Sequence, residues 1–215
     1  DKANDNGHDE PIDYLALLKN GYLASCSSKY QVSPGVIKVW DLMSFKLKYT
    51  FNLSNGGHSG YIFDLIALSS SGYLVSASED TTIKIWDATQ GRLVNTFDSS
   101  NGGHSSIVWS LLSIDDEYMA SGAGKIDGGK GELKIWNIKA NKLVTTFNES
   151  NGGHSSRIYS FALLNGGDFA SGSVDKTIKI WSRDGMKNAG ATNCCKLILT
   201  TIFNIILVCL FNHHM

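Results

Sequence analysis

The chain has 215 residues, with 19 basic and 20 acidic side chains, a formal net charge of -1 and only 18% charged residues. That balance supplies no field to draw nucleic acid or an anionic membrane, and the abundance of Ser, Asn and Gly marks a turn-rich, β-leaning composition. The four cysteines, Cys26, Cys194, Cys195 and Cys209, show neither metal-ligand spacing nor a disulfide framework. A reducing, cytoplasmic setting is therefore expected, with the nucleus as the alternative.

Residues 1–11 are polar and show no signal peptide. The chain begins with Asp, so an N-terminal part is expected to be missing. From residue 7 a pattern sets in that runs four times. A Gly-His pair (His8, His58, His104, His154) is followed after 17 or 18 residues by Ser25, Ser76, Ser121 and Ser171, and then by Trp40, Trp86, Trp136 and Trp181. Each of the first three tryptophans is followed 18 residues later by the next histidine (40 to 58, 86 to 104, 136 to 154). The step from Ser to Trp is 15, 10, 15 and 10 residues, so the length variation sits in one segment (Ser28 to Gly35 and Gly124 to Gly131 when long, Glu79 to Thr82 when short). A segment that tolerates such insertion is an exposed loop tip. Four copies of one unit predict an array of repeats over residues 1–182, with units at about 7–51, 57–97, 103–147 and 153–182.

The second unit shows what each copy builds. Tyr61 to Leu68 reads as a strand, Ser69 to Gly72 as a turn, and Tyr73 to Ser78 as a second strand. Glu79 to Thr82 is a tight hairpin, Ile83 to Asp87 alternates apolar and polar as a third strand, and Leu93 to Phe97 is a fourth. Asn101-Gly-Gly103 then breaks the chain with residues that accept positive φ. Asn52-Leu-Ser54 and Asn148-Glu-Ser150 in this connector match the glycosylation acceptor pattern, in a segment where Asn and Ser are common anyway. Four short antiparallel strands per unit, without a helical period, fit a propeller blade.

The pairs Gly7-His8 with Trp40-Asp41, Gly57-His58 with Trp86-Asp87, Gly103-His104 with Trp136-Asn137 and Gly153-His154 with Trp181-Ser182 resemble WD40 repeats, over residues 7 to about 182. The resemblance implies an all-β, WD40-like β-propeller, or partial propeller, of about four four-stranded antiparallel blades. Four units either close a small ring, stay open or belong to a longer product. An open array exposes two blade faces, and self-association through them is an expectation.

His58, Ser76 and Asp80 invite comparison with a catalytic triad. The same trio returns as His154, Ser171 and Asp175. A catalytic site is normally built once, whereas a structural device repeats. The resemblance implies a structural network in which the His bridges Ser and Asp and the indole of Trp86 or Trp181 joins in. The first and third units carry Lys29 and Lys125 where the family has Asp. Asp127 is the expected substitute in the third unit, and the first has none. Those two blades are expected to be held less firmly.

The resemblance also implies that residues three and five past each His, and the one before the hairpin Asp, reach the recognition surface. Here they are Pro11 and Asp13, Tyr61 and Phe63, Ile107 and Trp109, Arg157 and Tyr159, with Glu79 and Val174. Aromatics and Arg dominate interface energies. Packing between strands competes as the reading of Phe63 and Trp109. Lys38, Lys84, Lys134 and Lys179 are read as a solvated strand face that discourages edge pairing. No phosphate loop, metal cluster or paired acids stand out, so no cofactor is expected. Gly128-Gly-Lys-Gly131 lacks the phosphate-loop spacing and a following helix.

Beyond Ser182 the pattern stops, leaving 183–215 as a non-repeat tail. Residues 197–211 are apolar and uncharged but only 15 long, where a membrane helix needs about 20. Three accounts compete. The tail caps the array or supplies the fourth strand of blade four. Alternatively it anchors the chain to a membrane, with Lys187 and Lys196 before it and Cys194-Cys195 as acylation sites. Or it is sequence foreign to the array, such as translated intron. The expected function is a non-catalytic scaffold presenting a propeller surface to protein or peptide partners. The alternative is a sensor or substrate-recognition fragment of a larger signalling or ubiquitin-ligase protein. A hydrolase is the remote alternative.

Overall fold

The computed structural model describes residues 7–68, 72–183 and the backbone of 195–196. Its strands form four antiparallel four-stranded sheets, each built from consecutive strands. Sheet one contains β1 (Ile12–Leu17), β2 (Tyr22–Lys29), β3 (Ser33–Asp41) and β4 (Lys46–Phe51). Sheet two contains β5 (Ile62–Ala67), β6 (Tyr73–Ser78), β7 (Ile83–Asp87) and β8 (Arg92–Phe97). Sheet three contains β9 (Val108–Ser113), β10 (Tyr118–Ala123), β11 (Glu132–Asn137) and β12 (Lys142–Phe147). Sheet four contains β13 (Ile158–Leu163), β14 (Phe169–Ser173), β15 (Ile178–Trp181) and the two-residue β16 (Cys195–Lys196). Part of the tail thus pairs as a fourth strand, Cys195 opposite Trp181. The readings placed on 197–211, Lys187, Cys194 and Cys209 fall outside the described residues, as does the turn at 69–71. Among the described residues no helix is long and apolar enough to cross a membrane.

The strands are short because both faces of each inner sheet must be apolar. In β7, Ile83 and Ile85 point to one side and join the core shared with sheet three, while Trp86 points to the other and joins the core shared with sheet one. Strand alternation alone produces this division. Three cores result, one in each gap between successive sheets. The first strands β1, β5, β9 and β13 touch in that order, and among the described residues no comparable contact joins β13 back to β1. Among the described residues the array is open at both ends.

Across each gap a Phe from one sheet lies against the Trp of the next: Phe51 on Trp86 at 4.6 Å, Phe97 on Trp136 at 4.2 Å and Phe147 on Trp181 at 4.7 Å between ring centroids. Beside Trp40, Trp86 and Trp136 the outer strand carries one extra residue, Lys48, Val94 or Val144, so the bulge falls there and the tryptophan strand keeps its alternation.

The connectors carry the histidines. Three 3₁₀ turns, Leu53–Asn55, Ser99–Asn101 and Glu149–Asn151, are each closed by a capping box from Asn52, Asp98 or Asn148. Asp98 makes the same bonds as the two asparagines, so the position demands a side-chain acceptor, and that accounts for the acceptor-like tripeptides. Gly56, Gly102 and Gly152 then turn left-handed, with φ of 87, 86 and 90°. A Cβ on the following Gly57, Gly103 or Gly153 would lie 2.4 Å from the capping residue's backbone.

This close approach generates a test. Gly103→Ala forces backbone apart where nothing flexible can yield, and a loss of about 1–3 kcal/mol is expected in denaturant unfolding. Gly7→Ala, with nothing within 4 Å of its Cβ, serves as the neutral control; equal effects from both would refute the close-packing account.

Candidate functional site

In sheet two, the indole N–H of Trp86 donates to Ser76 Oγ (2.9 Å). Ser76 Oγ lies 2.7 Å from His58 Nε2, and His58 Nδ1 lies 2.9 Å from Asp80 Oδ2. A carboxylate only accepts, so Nδ1 carries the proton, and Nε2 accepts from the serine hydroxyl. The Asp80 carboxylate also accepts from the backbone N–H of Ser59 (2.9 Å) and from the N–H and hydroxyl of Thr82 (3.0 and 2.7 Å). Those bonds fix a hairpin in which Thr81 sits at φ 70°, a costly value for a β-branched residue.

Sheet four repeats this chain of bonds. Trp181 donates to Ser171 (2.8 Å), Ser171 meets His154 Nε2 (2.8 Å), and His154 Nδ1 meets Asp175 Oδ2 (2.7 Å). Thr177 and Ser155 complete the carboxylate's shell.

The odd sheets reach the same end differently. In sheet three the acceptor for His104 Nδ1 is Glu132 Oε2 at 2.7 Å, not Asp127. Asp127 serves its own loop, accepting from Gly129 N–H. Glu132 opens β11 at the position held by Thr82 in sheet two, so the strand supplies what the hairpin lacks. In sheet one, expected to have no substitute, Ser27 Oγ lies 2.6 Å from His8 Nδ1 and Ser25 Oγ lies 2.7 Å from Nε2. The long hairpins lean on the next sheet: Gly35 N–H bonds to Gly60 O (3.0 Å), and the Ser156 hydroxyl donates to Gly128 O (3.3 Å).

The lysine face is only in part solvated: Lys38, Lys84 and Lys179 are half-buried. Lys134 is buried at 6% exposure, pairing with Glu132 at 3.2 Å and donating to Thr146. Lys84 donates to Thr96, and Lys38 and Lys179 reach the carbonyls of Gly7 and Gly152. Such lysines lay their stems along the sheet and cap acceptors at its edge.

Burial lowers the pKa of His58, His104 and His154 despite their carboxylate partners, and burial with nearby Lys38 lowers that of His8. Burial pushes the Asp80 and Asp175 carboxyls up, but hydrogen bonds from the histidines and threonines overcome it. Asp80 falls well below the carboxylate range and Asp175 reaches about 2. The serine at the centre of each network is sealed, with Ser76 at 0% and Ser171 at 1% exposure. A substrate carbonyl cannot reach that oxygen without displacing the tryptophan, so the geometry is that of a structural clamp.

Five of the residues expected at the recognition surface, Tyr61, Phe63, Trp109, Arg157 and Tyr159, come together at one rim. Tyr61 contacts Phe63 (4.9 Å between centroids), Phe63 contacts Trp109 (4.3 Å) and Trp109 contacts Tyr159 (5.2 Å). The Arg157 guanidinium lies over Trp109 (5.4 Å) and Tyr159 (4.8 Å). These rings span sheets two to four. Tyr30, at the tip of the first long hairpin, extends the row onto sheet one at 5.9 Å from Tyr61 and 6.2 Å from Phe63. Trp109 and Phe63 are half-buried, tied between their neighbours, and Trp109 donates to Gly124 O (2.8 Å). Tyr159 and Val174 are exposed, at 46% and 37%. Glu79 accepts from the Tyr61 N–H, Asp13 accepts from Ser28, and Ile107 contributes its carbonyl to the hairpin. Burial and a hydrogen bond to Asp13 raise the Tyr61 phenol.

The family model "WD domain, G-beta repeat" matches residues 45–87 and 141–182, each running from the last strand of one sheet to the Trp strand of the next. The chain carries WD40 repeats at these two positions. It is structurally similar to the WD40 β-propeller domain of Doa1, with TM-score 0.64, 26% identity and 91% of this chain covered. The chain spans only 55% of that relative's length. A computationally designed protein, Ika4, is similar at TM-score 0.63 and 26% identity, over 81% of this chain and 92% of Ika4. No curated protein matches the sequence significantly. The all-β WD40 propeller architecture expected from the repeats is therefore present in the fold as well as in the motifs.

Two predictions follow from the clamp. Asp80→Ala strands a buried histidine N–H and two threonine donors, so thermal unfolding is expected to show a loss of about 1–3 kcal/mol; an unchanged melting temperature would show that the clamp contributes nothing. The pH dependence follows from the histidines. Their folded pKa lies below the ordinary 6.5, so the unfolded chain binds protons first and stability drops as pH falls below about 6.5. Asp64, raised by burial to about 6, works the other way between about 6 and 3.8, but it is one group against four, since His8 is lowered too. The melting temperature is expected to fall between pH 7.5 and 5.5, and a flat or rising profile would contradict the assignment.

Proposed function

We propose that this chain is a non-catalytic scaffold that presents the aromatic rim to a protein or peptide partner. WD40 propellers support protein interaction in general, and the observation that favours this rim is its continuity. Tyr30, Tyr61, Phe63, Trp109 and Tyr159 form one row across four sheets, with Arg157 stacked on its end. Rigid aromatic rings lose little conformational entropy on binding, and Arg157, stacked over two rings and held by the Ile126 carbonyl, is fixed in place with further donors for a carboxylate or carbonyl. The row lies where the hairpins of the sheets converge, so an extended peptide can lie along it and touch several repeats.

The double variant Arg157→Glu with Tyr159→Ala alters the exposed end of the row and spares the clamp. After an unchanged circular dichroism spectrum, partners captured from cytosol by the wild-type chain are expected to bind it about 10-fold or more weakly. Equal capture by both proteins would remove the rim as the binding surface.

A further inference from the structure

The two open faces of the array are halves of the same joint. At each internal joint an apolar residue from the first strand of one sheet seats against the small-residue strand of the sheet before it. Ile62, Val108 and Ile158 occupy this position and are each 0% exposed. Register places Ile12 at the equivalent point of sheet one, opposite Ser27 as Ile62 is opposite Ser78. Ile12 is 56% exposed. Leu15 is the counterpart of Leu65 and Leu111, which are 4% and 5% exposed, yet it stands at 61%. Trp40, unlike the three tryptophans that follow it, is only partly buried.

The opposite face tells the same story from the receiving side. Gly122 of sheet three is the socket for Ile158: a Cβ there would lie 2.7 Å from the isoleucine. Its counterpart in sheet four is Gly172, opposite Ile178 as Gly122 is opposite Leu133. Among the described residues only Ser160 Oγ comes within 4 Å of a Cβ built on Gly172, so no apolar side chain fills that socket. Ile178 itself is 60% exposed, where Ile37, Ile83 and Leu133 are at 1, 0 and 0%. One end offers knobs without a socket, and the other offers a socket without knobs.

We propose that the sheet-four face of one copy receives the sheet-one face of a second copy, with Ile12 seated at Gly172 and Leu15 and Trp40 covering Ile178 and Ile180. The occupant is a second copy because the joint it would make continues the one already present three times within the chain. The contact is heterologous: it uses two different patches, and it either closes into a ring or runs on as a filament. It also removes two uncovered apolar sheet faces from water, which is a gain of the ordinary hydrophobic kind. It is independent of the aromatic rim, which lies at the hairpin end.

A heterologous joint has a distinctive test. The full chain is measured by light scattering coupled to size exclusion, with circular dichroism as the folding check. The Ile12→Asp/Leu15→Asp variant loses only the first face and Ile178→Asp only the second; all three residues are exposed, so both variants are expected to fold. The wild type is expected above monomer mass and each variant at monomer mass. An equimolar mixture of the two variants is expected to form a dimer and nothing larger, because one live face of each kind remains. A monomeric wild type would overturn the proposal. So would a variant that associates as the wild type does, which would mean like faces meet, or a monomeric Ile178→Asp protein with a lowered melting temperature beside a monomeric wild type, which would mean another part of the same chain covers sheet four.

Discussion

The structure depends on a buried indole N–H that must find an acceptor. A tryptophan is the side chain large enough to span the gap between two sheets and stack on the phenylalanine beyond it, as Trp86 does on Phe51 and Trp136 on Phe97. Its area stabilises the joint, but its N–H enters the core with it, and an unpaired donor there costs much of what burial gains. Ser76 and Ser121 accept it. Each serine then has its own proton to place, which the histidine accepts, and each histidine has a second nitrogen whose proton needs an acceptor at the edge of the core. Each link is required by the one before it. The series ends where a carboxylate reaches partial solvent, or in sheet one at the buried hydroxyl of Ser27.

This requirement explains why a serine, a histidine and an acid in triad order are arranged here unlike those of a hydrolase. A hydrolase exposes the serine oxygen and aims the base at it. Here the oxygen lies at the dry end of the chain of bonds and is occupied from both sides. The low histidine pKa follows from the same burial: a proton arriving on Nε2 would face the serine hydroxyl that now donates to it.

Much of this is legible in spacing. The 18-residue step from each Trp to the next His reflects a fixed outer strand, a capped 3₁₀ turn and two glycines, none of which tolerates insertion. The acceptors of the odd sheets are not legible in the same way. When the hairpin lengthens, the position four past the serine no longer lies near the histidine, and the acceptor comes from the strand instead (Glu132) or from the neighbouring strand residue (Ser27). Lys134 reads as a surface residue because alternation places it among polar positions, yet Glu132 two residues before it makes burial affordable. Tyr30 escapes notice because it sits on the inserted tip, outside the register that aligns the other rim residues.

The four repeats also separate what the fold requires from what it leaves free. At the clamp, every unit has a histidine, a serine and a tryptophan, and the acid is replaced only by groups that can accept. Three and five residues past the histidine, no two units agree: Pro11 and Asp13, Tyr61 and Phe63, Ile107 and Trp109, Arg157 and Tyr159. If packing alone dictated these side chains, the same backbone geometry would ask for the same residues four times, as it does at Trp40, Trp86, Trp136 and Trp181. It does not, and yet Tyr61, Phe63, Trp109, Arg157 and Tyr159 among them meet in one continuous row. A surface that varies by repeat and is continuous across repeats suits the proposed scaffold role, in which one partner lying across the rim touches several repeats at once.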